Sequence, residues 1–469
     1  MQLFEYFSQA QLEHIHNSTL RVLESVGVDF LYEPARKLMA KAGCKVDGAR
    51  VYFPPELVGA QIAKAPSQFT LYARNPAKNV IIGGDHLTFV PCYGAPVVSS
   101  LDEGRRDSIL NDFVNFVKLT HASPYQDITG GLMAEPNDIP IERRTVEMVS
   151  AAIRYSDKPF MGGALGEEAA NDTITAASIV FGGQKEMAEK PPFISILGSR
   201  APLGYDERML SAMMAYARAG LPQIISALSI AGATGPVTME GALVVQNAEV
   251  LAGIILTQLV RAGTPVVFGG QSTAAAMRYG TLSIGSPEMA VNTAATAQMA
   301  RFYGLPSRSG GALTDSKICD GQAGAESMMG QLMATLSGIN FVLHSAGILE
   351  TYMVASYEKF ILDDEICGMC KRIKKGEHIT DERLAVDLIG EVGPGGEYLT
   401  KDHTFRHFRS EFYQPILEER SNFGTWVRGG ALPSERRANA KWKEILANYS
   451  EPELPGEIER DLRNYLDRR

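Results

Sequence analysis

The 469-residue chain has too few cysteines, and an odd number of them, for a disulfide framework: Cys44, Cys92, Cys319, Cys367 and Cys370 are scattered along its length. A reducing compartment is the implied setting. Positive charge is not in excess either; 45 Lys and Arg face 54 Asp and Glu, a net charge of −9, whereas a nucleic-acid binder would want a basic face. The opening MQLFEYFSQAQLEHIH puts acids and histidines where a secretory leader has a basic and then an apolar run, so a cytoplasmic protein is expected. No long apolar run is free of polar groups. The longest, Ala242–Val260, holds Gln246, Asn247, Glu249 and Gln258, which would be costly in lipid; it reads as a buried helix, and no membrane association is expected.

Several catalytic signatures are missing too. No GxGxxG follows the first strand, so no nucleotide cofactor is expected, and there is no P-loop, GxSxG or H-x-E…CxxC pattern. Cys367-Gly-Met-Cys370 has metal or redox spacing but neither a second pair nor a nearby His. A structural role is the better reading. His403 and His407 would share a helical face, but Thr404 stands where a zinc protease needs Glu. No metal site is expected.

What is present is a rhythm. Hydrophobic residues at 45% and charged at 21% describe an ordinary globular chain. The first segment is helical, with capping-box spacing at Ser8 and Gln11 and a hairpin around Cys44–Phe53. From about residue 80, apolar runs ending in small residues alternate with helical periodicity: Thr88–Val90, Ile128–Leu132, Pro159–Gly163, Phe193–Gly198, Gln223–Leu228, Pro265–Gly270, Ser307–Gly311 and Asn340–His344. Eight βα units imply a parallel sheet, best closed as a (β/α)8 TIM barrel, with a doubly wound open sheet as the alternative. The expected layout is a cap over 1–80, a barrel over 81–362 and a helical extension over 363–469, with helices Ile379–Gly390, Thr404–Glu418 and Pro433–Ala447.

Gly-Gly pairs recur at strand ends, at Gly130-Gly131, Gly162-Gly163, Gly269-Gly270 and Gly310-Gly311. They are either tight turns or places left open for something large at the barrel mouth. His344 ends the last strand, where barrel enzymes build their chemistry. A buried core histidine is the alternative. Thr238 and Ser286-Pro287 look like helix starts on the same face, able to cap or to hold an anion.

The blocks Gly232-Ala-Thr-Gly-Pro-Val-Thr238, Gln246-Asn-Ala-Glu-Val-Leu-Ala-Gly253, Gly285-Ser-Pro-Glu-Met289 and Thr314-Asp-Ser-Lys317, leading into Asp320-Gly-Gln-Ala-Gly-Ala-Glu326, resemble the trimethylamine methyltransferase family. The resemblance runs through nearly the whole chain. It implies a TIM barrel that moves a methyl group from an amine nitrogen to Co(I) of a corrinoid (cobalamin) on a separate, cognate corrinoid protein. Members acting on trimethylamine carry pyrrolysine; this chain has only standard residues, which implies the quaternary-amine branch, with glycine betaine the first expectation. Proline betaine, carnitine, butyrobetaine or a trimethylamine-like substrate, or a non-catalytic betaine-binding subunit, are the alternatives.

Quaternary ammonium is held by aromatic faces, and the strand-end candidates are Phe89, Tyr93, Phe160, Phe268 and Tyr352. A betaine carboxylate wants Arg, His or N–H groups. Arg308 and His344 are the leading choices there, with Gln271 and Asn247 as neutral donors and Glu249 and Glu288 in support. The corrinoid would face Gly270, Gly310, Gly311, Asp315 and Gln322. Self-association into a homo-oligomer is expected.

Overall fold

Short apolar runs that alternate with longer helical ones can bury both faces only in a parallel sheet wrapped by helices, and the chain folds that way. The computed structural model describes residues 2–469. Its central strands are β1 (Thr88–Val90), β2 (Thr129–Gly130), β3 (Phe160–Met161), β4 (Phe193–Gly198), β5 (Gln223–Ala227), β6 (Val266–Gly270), β7 (Ser307–Gly310) and β8 (Phe341–Leu343). Their helices are α1 (Leu110–Ala122), α2 (Ile141–Tyr155), α3 (Glu167–Val180), α4 (Glu207–Ala219), α5 (Met239–Val260), α6 (Pro287–Phe302), α7 (Gly321–Ser337) and α8 (Tyr357–Lys375).

Neighbours pair in parallel from β2 to β8, and β8 returns to β1. The expected barrel is therefore nearly closed, with a seam between β1 and β2. There the Asp127 N–H donates to the Phe89 carbonyl and the Phe89 N–H donates to Asp127 Oδ2, both at 2.8 Å. Lys371, near the end of α8, pairs with the other oxygen of that carboxylate at 2.9 Å.

Side chains alternate along each strand. Val90, Met161, Ile194, Ile224, Val267, Phe341 and Leu343 point inward and pack together. An antiparallel hairpin, Gln68–Leu71 with Val80–Gly83, adds Leu71, Val80 and Ile82 and closes the N-terminal end of the barrel. The intervening residues point outward beneath the helices, where Phe160, Phe193, Ile225 and Phe268 join the main core.

The capping box forms as expected, with Ser8 as N-cap of helix Gln9–Ser25, and so does the hairpin of Lys45–Asp47 with Arg50–Tyr52. Helix α5 is the one described helix long and apolar enough to cross a bilayer. It is instead packed between helix Gln9–Ser25 on one side and β5 and β6 on the other. Two of its polar residues find partners there: Gln246 Nε2 donates to Thr296 Oγ1 at 3.1 Å, and Gln258 Nε2 to the Thr264 carbonyl at 2.7 Å.

Helix α8 continues straight through the boundary expected at residues 362 and 363, because Lys359 and Asp363, one turn apart, form a buried ion pair of 2.5 Å on it. Cys367 and Cys370 are buried on the same helix, their thiols pushed up by burial, Cys370 to about 11. Both are packing residues. Beyond α8 lie helices Asp381–Leu384, Val386–Val392, Asp402–Glu411, Phe423–Arg428, Ser434–Ala447 and Gly456–Leu466. The helix expected over 379–390 is broken at Ala385, which sits at φ 50°, and the one expected to reach Glu418 stops at Glu411. Helix Ser434–Ala447 lies along α8 and stacks Trp442 on Tyr357, ring centres 4.6 Å apart.

Candidate active site

At the C-terminal ends of β1–β5 a cavity of about 440 Å3 opens to the surface, its walls including Tyr93, Met161, Ile196, Arg200 and Ser226. The lining is mostly apolar. One polar cluster stands at its inner edge, and it rests on Arg308.

Arg308 points into the barrel from β7 and is 1% exposed. Register explains its reach. Ser226, Gly269 and Arg308 occupy one row across β5, β6 and β7, and with no side chain on Gly269 the guanidinium extends to Ser226 Oγ, 3.1 Å from Nη1. The same nitrogen donates to Gln271 Oε1, and Gln271 Nε2 donates to the Tyr352 hydroxyl. The Tyr352 ring lies against the His344 ring, centroids 4.9 Å apart. His344 Nδ1 in turn accepts the Tyr93 backbone N–H at 3.3 Å. Five residues singled out from sequence, Tyr93, Gln271, Arg308, His344 and Tyr352, thus form one continuous chain of contacts.

The electrostatics of this cluster are one-sided. Arg308 has no carboxylate partner, and its Nε has no acceptor at all. Burial draws the guanidinium down to about 10, still charged at neutral pH. Burial and the neighbouring Arg308 push His344 well below its ordinary value, so the ring is neutral, and with Nδ1 accepting, its proton sits on Nε2. Tyr93 is pushed up to about 12 by burial. The result is a buried cation among neutral aromatics, arranged to receive an anionic group.

The backbone here is strained. His344, Glu350, Thr351 and Tyr352 all have φ between 52° and 72°, a left-handed region that costs non-glycine residues energy and tends to mark functional loops. Asp315 fastens this loop. It accepts from the Ser283 hydroxyl (2.7 Å), the Ile284 and Gly285 N–H groups (2.9 and 3.2 Å) and the Thr351 hydroxyl (2.9 Å), tying together the loops after β6, β7 and β8. On the far wall, buried Glu249 of α5 accepts the Ser199 hydroxyl and the Leu203 N–H (2.7 Å), holding the loop that carries Arg200.

Other candidates lie elsewhere. Phe89, Phe160 and Phe268 occupy outward positions: Phe89 packs under α8, Phe160 stacks with Phe181, and Phe268 tilts against Tyr303. None of the three faces the cavity, because each is one residue out of phase with an inward neighbour. Asn247 is fully buried on α5, away from the cavity walls. Gly270, Gly310 and Gly311 do not form an open floor. A Cβ on Gly270 would meet Gln246 and Thr296, one on Gly310 would meet Leu313, and one on Gly311 would meet Gln331, so these glycines admit the chain's own side chains. Gln322 is exposed at the start of α7, on the mouth side. Sequence reasoning passed over Ser226 and Arg200; the signal was an inward hydroxyl after Ile224 and Ile225 in β5 and a basic residue two positions after β4. Among the described residues no cluster of three or more His, Cys, Asp or Glu could hold a metal ion.

A glycine betaine methyltransferase of Desulfitobacterium hafniense strain Y51 is 49% identical over 99% of this chain and 97% of its own. A proline betaine:corrinoid methyltransferase of Eubacterium limosum is 32% identical over 98% of this chain and 97% of its own. The trimethylamine methyltransferase MttB of D. hafniense strain DSM 10664 / DCB-2 is also 32% identical, over 98% and 93%. The solved monomethylamine methyltransferase MtmB of Methanosarcina barkeri superposes with a TM-score of 0.58 at 11% identity, over 96% of this chain and 90% of that one, a likeness of fold. The pattern of the trimethylamine methyltransferase (MTTB) family matches residues 1–469, and the chain belongs to that family.

Proposed function

We propose that this enzyme demethylates a carboxylated quaternary amine, glycine betaine in the first place, passing the methyl group to the Co(I) of a corrinoid carried by a separate protein. The observation that carries the reading is Arg308, a buried guanidinium with no carboxylate of its own. A betaine supplies the missing anion, and its ammonium end then falls among Tyr93, His344 and Tyr352, where each tyrosine face attracts a cation by about 0.5–2 kcal/mol.

The corrinoid supplies a strong nucleophile for the methyl carbon. The C–N bonding pair returns to nitrogen, so dimethylglycine leaves as a neutral amine and needs no general acid. That fits a site whose histidine is neutral and whose tyrosines stay protonated. The chain's contribution is orientation: Arg308 fixes the carboxylate end, the aromatic rings fix the methyl groups, and one methyl is left facing the mouth. Holding two reactants in line supplies up to about 7–11 kcal/mol of barrier reduction.

The rim suits a docking protein. Exposed apolar side chains stand in the loops or first turns after β2, β3, β5, β6, β7 and β8, at Ile141, Leu165, Val237, Met277, Ile318 and Met353. An apolar ring around the mouth marks an interaction surface, here for the cognate corrinoid protein. Five free cysteines and no disulfide suit a cytoplasmic enzyme.

The test is incubation with Co(I) cobalamin, free or on the corrinoid protein, and a panel of glycine betaine, proline betaine, carnitine, choline and trimethylamine. Dimethylglycine by NMR, with the cobalt spectrum changing in step, is expected from glycine betaine. Turnover of choline or trimethylamine in preference to every carboxylated amine would overturn the role given to Arg308.

A further inference from the structure

The cavity at the mouth is larger than glycine betaine needs. Of the polar cluster built on Arg308, only Tyr93 and Ser226 also line it. Ser226 stands at the carboxylate end of the site, 3.1 Å from Arg308 Nη1. Tyr93 stands at the ammonium end, its N–H donating to His344. The cavity therefore runs along the flank of a bound betaine, past the carbon that joins its two charged ends. Beyond that point its walls are Met161 and Ile196 of β3 and β4, Met148 and Val149 of α2, and Met209 of α4. At about 440 Å3 it falls in the range of about 300–1,000 Å3 that encloses drug-sized ligands. Glycine betaine, held by both ends at the inner edge, has no atom to place there.

The lining says what kind of group belongs in this space. Two charged residues border it, Arg200 and Asp206. Asp206 is the N-cap of α4 and accepts the Met209 N–H at 2.8 Å, while Arg200 is exposed. The interior offers no partner for a further charge, and an unpaired charge there would be costly. Three of the walls are methionines, whose unbranched side chains adapt to differing shapes. At Gly198, the next inward position of β4 after Ile196, an added Cβ would meet nothing nearer than the Ser226 carbonyl oxygen at 4.0 Å. The wall is bare at that point.

We propose that this chamber receives an uncharged apolar arm on the carbon between the carboxylate and the ammonium. The substrates then include the betaines of apolar α-amino acids, such as N,N,N-trimethylleucine and N,N,N-trimethylphenylalanine. The inference rests on the function proposed above and adds a third arm to its substrate. The reaction itself is unchanged: the methyl group passes to Co(I), the C–N bonding pair stays with nitrogen, and the N,N-dimethyl amino acid leaves with a neutral amine. An edge of the corrinoid is the rival occupant, and the test separates the two.

The test is calorimetric binding to the full chain with no corrinoid present. Both trimethylated amino acids are expected to bind roughly 10- to 100-fold more tightly than glycine betaine, the gain from burying a large apolar side chain. Gly198→Leu and Leu228→Trp each grow a side chain into the chamber from a different wall. Each is expected to lower the ratio of the two affinities at least about tenfold, with the melting temperature unchanged. With Co(I) cobalamin added, N,N-dimethylleucine and N,N-dimethylphenylalanine are the expected products. An affinity no better than that of glycine betaine, or a gain that survives both variants, would overturn the proposal. So would variants that slow cobalt methylation by glycine betaine while leaving the gain intact, which would give the chamber to the corrinoid. An enzyme that turns over no betaine at all would refute the function proposed above, and the affinities would still decide this inference.

Discussion

Burying a guanidinium costs more than two neutral acceptors return, so Arg308 is a residue kept at the expense of stability. Two results are expected. Arg308→Met is expected to melt no lower than wild type. Arg308→Gln is expected to lose roughly 30- to 1,000-fold in kcat/KM for glycine betaine, the equivalent of about 2–4 kcal/mol for an unpaired buried charge, with binding of tetramethylammonium unchanged in calorimetry. His344 makes a second case. Its pKa is lowered in the fold, so below about 6.5 the unfolded chain binds a proton that the native one refuses, and wild type loses stability as pH falls from 7.5 to 5. In His344→Asn, which tolerates the left-handed backbone, that loss is expected to disappear from urea midpoints across the same range, while betaine turnover falls at least about tenfold.

The residues that the structure brings together are the polar and aromatic ones that the sequence singles out at or just beyond strand ends, Arg308 and His344 among them, because a charge or imidazole there has few structural reasons to exist. Phe89, Phe160 and Phe268 were out of reach for a physical reason. Which side a strand residue faces depends on the phase of alternation, and the phase is fixed by how the barrel closes, not by local sequence.

Among elements, α5 and α7 carry the features that hold the site. Glu249 on α5 is pushed up to about 6 by burial from an ordinary 4.5, so the native state holds its proton more tightly than the unfolded one. Its contribution is present in acid and is lost as pH rises through about 6. Measured against Glu249→Gln by urea unfolding, wild type is expected to lose about 2 kcal/mol of relative stability between pH 4 and 7.5, from about 1.4 kcal/mol per pKa unit. On α7, Gly330 faces the Gly311 carbonyl so closely that a Cβ would collide with main chain. Gly330→Ala is therefore expected to destabilise by about 1–3 kcal/mol, read as a lowered melting temperature. The existence and order of these elements were legible because periods of 2 and 3.6 differ so plainly. The glycine pairs divide: Gly131, Gly162 and Gly163 line the cavity, whereas Gly270, Gly310 and Gly311 make room for the chain's own side chains, and a glycine cleared for a visitor and one cleared for a neighbouring helix look the same in one dimension.

For the whole molecule, the expected division into cap and barrel has a clear physical limit. The hairpin Gln68–Leu71 with Val80–Gly83 lends Leu71, Val80 and Ile82 to the barrel interior, and helix Gln9–Ser25 covers α5. A chain lacking residues 1–80 is expected to be insoluble on expression, because it uncovers α5 and unplugs the barrel together; a soluble, cooperatively melting fragment would count against that dependence. The seam between β1 and β2 has a consequence of its own. Seven of the eight strand junctions are laddered, whereas this one has a single main-chain bond at strand level, backed by one aspartate and one lysine, and is tied again above the strand ends, where the Gly94 N–H donates to the Leu132 carbonyl and the Glu135 N–H to the Ala95 carbonyl. Spontaneous loosening therefore concentrates at the strand level of one edge, beneath a mouth that the Gly94 and Ala95 bonds keep shut, so the barrel wall yields there before its rim does.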